Sequence, residues 1–127
     1  MLKLAPALAS GLILALAPAA AAEPVDREAE LARALEGRVA GAPVSCIDLH
    51  RVRSSQVIPN TAIIYNAGGT LYVNRPRAGA QSLNKWDALV TRLPTTRLCS
   101  VDSVRLVEPN TGMMTGVVML DEFVPYR

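Results

Sequence analysis

The stretch TAIIYNAGGTLYVN, residues 61–74, decides the fold. TAIIYN (61–66) and TLYVN (70–74) carry the β-branched and aromatic residues of strands, and Ala67-Gly68-Gly69 supplies glycines free to take positive φ in a short hairpin loop. Upstream, VSCIDLHRV (44–52) alternates with period two and reads as another strand, with Ser54-Ser55-Gln56 and Pro59-Asn60 as loops. Downstream, Arg75-Pro76-Arg77-Ala78-Gly79 leaves the sheet. SVRLVE (103–108) and GVVMLDEFV (116–124) flank Pro109-Asn110-Thr111-Gly112, a turn signal, and predict a second hairpin. AQSLNKWDALVTRL (80–93) predicts a turn or short helix over 80–86 and a strand over 88–92.

Ahead of these strands, VDREAELARALEG (25–37) predicts a helix. Leu31 and Leu35 stand i, i+4, acidic residues fill the first turns, and Gly37, Gly41 and Pro43 end it. The expected architecture is mainly β (α+β): an N-terminal helix, then a small antiparallel sheet or partly open barrel of five or six strands with one disulfide.

Residues 1–22 read as a cleavable signal peptide. Lys3 gives a positive start, Leu4 to Leu16 is apolar and uncharged, Pro18 breaks the run, and Ala20-Ala21-Ala22 offers the small residues a signal peptidase reads, placing cleavage between Ala22 and Glu23. The apolar run is short for a membrane span and carries Pro6 and Pro18, and no Cys lies near the cleavage point to take a lipid. The expectation is a periplasmic or secreted product, 23–127, not membrane-spanning after cleavage. It forms a single domain, with the helix over 25–37 and a β-rich unit over 44–124.

Removing 22 of 127 residues leaves 105, enough for one domain. Only Lys3 is lost among the charged residues, so 13 basic residues become 12 against 11 acidic. That balance, with export, argues against a nucleic-acid partner.

Cys46 and Cys99 are the two cysteines. In an oxidising compartment an even count reads as a disulfide. The closed loop spans 53 residues, worth ~4 kcal/mol on the chain-entropy model. Neither C-x-x-C nor a second His is present to support redox or metal roles, so no cofactor and no metal are expected.

GRVAGAPVSCI (37–47), TAIIYNAGGTLYVNRPRAGA (61–80), LVTR (89–92), LCSVDSVRLV (98–107) and FVPYR (123–127) together resemble a family of small exported proteins of unknown function from alphaproteobacteria, sphingomonads in particular. The resemblance runs from about Arg38 onward. It implies that Cys46 and Cys99 are paired hallmarks and that Asp102, closing an L-C-x-x-D pattern, belongs to the fold's signature. Wider relatives often carry a Gly before that Asp, where this chain has Ser100-Val101. The resemblance brings no activity with it.

Several residues invite chemistry. His50 and Asp48, two apart on one strand face, form a candidate base and orienting carboxylate, but no G-x-S-x-G supplies a nucleophile. Asp102, Asp121, Glu108 and Glu122 could pair as acid and base, which requires a fixed separation. Arg51, Arg53, Arg75 and Arg77, with Arg105, could gather into an anion-binding face for an acidic glycan. Phe123-Val124-Pro125-Tyr126 reads as a last strand closing the sheet rather than a docking tail, and Trp86 as a lid over the core. No catalytic set assembles from these. The expectation is a non-enzymatic binding or structural module for an envelope protein or acidic glycan. The alternatives are a small enzyme using His50 and Asp48, and an inhibitor or oligomerising protein.

Overall fold

The hairpin over 61–74 lies at the centre of the molecule, a computed structural model that describes residues 3, 9–16 and 25–127. Its arms, Ala62–Asn66 and Leu71–Asn74, pair antiparallel, and Gly68 takes φ 74° in the loop. The cleavage point at Ala22 and Glu23 lies outside the described residues.

In chain order the elements are α1 (Arg27–Ala34), β1 (Cys46–Asp48), β2 (Ser54–Ile58), β3 (Ala62–Asn66), β4 (Leu71–Asn74), β5 (Ala88–Val90), β6 (Arg97–Cys99), β7 (Ser103–Val107), β8 (Met114–Met119) and β9 (Phe123–Tyr126). Among the described residues the architecture is mainly β, with one helix and a single disulfide, as the sequence predicts. Its nine strands form three antiparallel sheets among the described residues: a first sheet β2-β3-β4-β9, a second sheet β5-β7-β8, and a ribbon β1-β6. None closes into a barrel.

Alternation along β3 builds two cores. Ile63 and Tyr65 face a cluster containing Ile47, Leu98, Val104, Leu106, Val118, Leu120 and Phe123. Ala62 and Ile64 face the opposite way, onto Ile58, Val73 and the Leu31 and Leu35 side chains of α1. The first sheet is therefore covered on both faces, which is why TAIIYN is apolar at nearly every position. α1 starts where Asp26 accepts a hydrogen bond from the Ala29 N–H and ends before Gly37 at φ 77°. It is shorter than the predicted 25–37 because Asp26 caps its start and the backbone leaves helical geometry at Leu35.

Four local expectations are corrected. The strand over 44–52 is paired only over Cys46–Asp48. The Asp48 carboxylate then accepts the His50 N–H and turns Leu49–Arg51 into a 3-10 turn. Ser54-Ser55-Gln56 is strand rather than loop: it pairs with β3, and Asn60, at φ 59°, makes the turn. The strand over 116–124 is two strands, because the chain switches sheets between Met119 and Phe123. There the buried Asn74 side chain donates to the Asp121 carbonyl at 2.6 Å and accepts from the Asp121 N–H at 3.1 Å. β6 is an additional short strand, set directly across β1 so that Cys46 pairs with Cys99.

The disulfide joins that pair. Asp102 holds the next turn, its carboxylate accepting the Cys99 N–H at 2.7 Å while its own N–H donates to the Cys99 carbonyl. The L-C-x-x-D pattern is thus a side-chain-closed turn, and Ser100-Val101 makes it without a positive φ.

Candidate binding groove

Sheet edges position the site. An edge strand leaves alternate N–H and C=O groups unpaired. The outer edge of β9 is covered by residues 39–44: Val39 and Arg127, and Val44 and Phe123, exchange backbone hydrogen bonds, and Gly41 N–H donates to the Pro125 carbonyl. The outer edge of β8 is covered by 77–79, where Arg77 N–H donates to Met119 and Met119 N–H to Ala78. Gly79, at φ 84°, passes so close that a Cβ would stand 2.2 Å from the Val117 carbonyl oxygen.

The other two edges, β2 and β5, have no backbone partner among the described residues. Both border one cleft of about 400 Å³, with Ser55, Gln56 and Val57 on one wall and Asp87, Ala88 and Leu89 on the other. A neighbouring cleft of about 220 Å³ continues along Ser54 and Ser55 opposite Leu89 and Thr91, with Arg53 and Tyr65 also bordering it. As β2 is followed backwards, β5 runs forwards, so the two strands are antiparallel across the groove.

The groove's chemistry follows from its residues. Val57 and Leu89 pack on the core and give it an apolar base. Tyr65 is 5% exposed, and its hydroxyl is buried with no hydrogen-bond partner. Burial pushes this phenol's pKa up. Lys85 reaches back to Glu30 on α1, and the Lys85 and Arg27 hydrogen bonds hold the Glu30 carboxyl below its ordinary value. Asp87 accepts from Asn84 Nδ2 at 2.7 Å and from the Thr115 hydroxyl. Arg53 makes no side-chain hydrogen bond or ion pair among the described residues, so it gives the groove a free positive charge.

Trp86 corrects its expectation. It is 83% exposed, not a lid. Asn84 Oδ1 accepts from both the Trp86 and Asp87 N–H groups at 2.9 Å, a side-chain-closed turn that projects the indole between two groove residues.

The other candidates do not converge. His50 is exposed, and Asp48 accepts its backbone N–H rather than orienting its imidazole. Glu108 closes the hairpin over 109–112: hydrogen bonds from the Thr111 hydroxyl and the Asn110 and Thr111 N–H groups hold its carboxyl low. Asp121 accepts the Glu122 N–H, and Asp102 caps the turn after Cys99. These carboxylates therefore serve local backbone, and the Glu122 carboxylate is exposed with no hydrogen bond among the described residues. The arginines separate as well. Arg75 makes a two-pronged pair with Glu28, Arg51 borders a cleft with Asp48 and Arg97, and Arg77 reaches the Ser100 carbonyl at 3.5 Å, leaving Arg53 at the groove. Arg105 points outward from β7. FVPYR closes the first sheet along β4, with Phe123 fully buried.

Sequence reading missed the groove because its β2 wall is polar. The available signal was Asn84-Lys85-Trp86-Asp87, a tryptophan flanked by turn-forming and charged residues. Comparison with models of protein families, with curated proteins and with solved structures finds no match for this chain.

Proposed function

We propose that the protein is an exported, non-enzymatic binding module for another component of the cell envelope, and that it binds through the β2–β5 groove. The observation carrying this reading is Trp86: the only tryptophan of the chain is held in the open by a closed turn at the rim of a cleft. A large aromatic left in water and pre-oriented is the usual anchor of a binding surface. The signal-peptide pattern over 1–22 supports export, as does a disulfide suited to an oxidising compartment. Membership in the sphingomonad-type exported family is part of the same proposal and rests on the strings shared with it.

The test is a non-reducing pull-down from the envelope fraction, with partners identified by mass spectrometry, comparing wild type with Trp86→Ala and with Arg51→Glu/Arg75→Glu. A partner lost with Trp86→Ala supports the reading. A partner lost only with the arginine pair moves the site away from the groove, to the surface carrying Arg51 or Arg75. Intact mass of the exported protein, expected to start at Glu23, tests the leader, and a chain starting at Met1 overturns it.

A further inference from the structure

The two open edges, the orphaned hydroxyl and the free arginine share one groove. We infer that this groove receives an extended segment of a partner protein, which adds as a strand between β2 and β5 and carries an acidic side chain toward Arg53. The inference rests on the binding-module reading above and names its partner class.

Edge geometry comes first. The first and second sheets have their other edges covered by passing chain, over 39–44 and 77–79, while β2 and β5 face each other across open space. A guest strand laid there meets unpaired backbone donors and acceptors on both sides. Because β2 and β5 run oppositely, it pairs antiparallel with one and parallel with the other. The two sheets would then become one continuous sheet, β9-β4-β3-β2-guest-β5-β7-β8.

Side chains then select the guest. Alternate guest residues point down onto Val57 and Leu89, which favours apolar side chains at every second position. Tyr65 OH, buried without a partner beside this floor, calls for one polar group among them. Arg53 has no counter-ion among the described residues, whereas the Asp87 and Lys85 charges are already met by Asn84, Thr115 and Glu30. Net complementarity is therefore for an acid at the Arg53 end. Trp86, exposed between the groove residues Lys85 and Asp87, stands at the opposite end. The hydroxyls of a glycan do not repeat at the strand spacing and would meet these two rows only in part.

The probe is a displayed library of random linear peptides, panned against the full mature domain, followed by titration of synthetic versions of the enriched peptides. Enrichment of alternating apolar sequences with an acid near one end is expected. Ser55→Trp, which fills the groove from an exposed position, should abolish binding. Trp86→Ala should weaken it about thirtyfold. Tyr65→Phe should weaken it about tenfold while the melting temperature of the free protein rises. Amides of β2 and β5 should gain protection from hydrogen exchange on binding. Failure of any peptide to enrich, or equal binding by wild type and Ser55→Trp, overturns the inference. A Trp86-dependent envelope partner unaffected by Ser55→Trp and Tyr65→Phe also overturns it, yet leaves the binding-module reading standing.

Discussion

The β8 and β9 edges and the β2 and β5 edges belong to the same two sheets but are finished differently. Beside β8 and β9 the chain folds back on itself, close enough at Gly79 that no Cβ fits. Beside β2 and β5 it does not, and the exposed residues on β2 are Ser54, Ser55 and Gln56. Bare edges pair with other chains unless they are short or polar. The closed side removes that hazard by covering its edges, whereas the open side limits it by a polar β2, exposed at Ser54, Ser55 and Gln56, and by a β5 only three residues long. The contrast separates where the molecule is stabilised from where it is available.

Removing the disulfide should produce the largest effect. Cys46→Ser with Cys99→Ser releases a loop of 53 residues, at a cost of about 4 kcal/mol on the chain-entropy model. The bridge clamps β1 to β6, whose Leu98 borders the groove together with Leu49. Denaturant unfolding should show the loss, and hydrogen exchange should rise first in β1, β6 and the groove strands. An earlier rise along 39–44 or 77–79 would mean that the covered edges, not the groove side, depend on the bridge.

The covered side is tested by Gly79→Ala. The new Cβ meets the Val117 carbonyl at 2.2 Å, and the backbone sits at φ 84°. Left-handed strain and overpacking together should cost about 3 kcal/mol. Thermal melts should show it, with exchange rising in β8 while β2 and β5 are unchanged. A matching loss from Gly69→Ala, where a Cβ meets nothing within 4 Å, would refute the assignment to edge contact.

How much of this was readable follows the same division. The hairpin over 61–74 was legible because both faces of β3 are buried and its loop needs a glycine at φ 74°. The disulfide is legible from two cysteines and a signal-peptide pattern in the sequence. The β2 wall was not, because Ser-Ser-Gln becomes strand only through pairing with Ile64 and Tyr65, contacts invisible in local propensity. The exposure of Trp86 is not legible because burial is the usual fate of an indole, and the turn closed by Asn84 that holds it outward is a side-chain contact. His50 and Asp48 were misread as sharing a strand face because a side-chain cap, not alternation, sets the backbone there.

Tyr65→Phe gives a smaller effect of opposite sign. The hydroxyl lost is buried and unpartnered, and leaving such a group unsatisfied costs about 1 kcal/mol or somewhat more. The free protein should therefore gain about that much stability in denaturant titrations, since the ring and its edge-on contact with Phe123, centroids 6.0 Å apart, stay in place. A destabilised Tyr65→Phe would show that the hydroxyl is already satisfied, and would take from the groove one of the features that mark it as a receiving site.

The smallest effect concerns how α1 is held over the first sheet. Glu28 meets Arg75 at 2.8 Å and Glu30 meets Lys85, so helix and sheet are joined by charge as well as by Leu31 and Leu35. The Arg75 hydrogen bonds lower the Glu28 pKa, largely through the charge-assisted contact itself. A carboxyl lowered in the folded state contributes stability that is present above its unfolded pKa, near 4.3, and is lost as pH falls through the folded value. With both partners more than half exposed, solvent screening leaves the pair a few tenths of a kcal/mol. Arg75→Gln should thus lower stability slightly at neutral pH, converge with wild type below about pH 4, and lose its effect in high salt. Arg75 follows β4 and lines neither part of the groove, so peptide binding should be unchanged in this variant. A binding defect in Arg75→Gln would instead place the helix and its Glu28–Arg75 contact in the site.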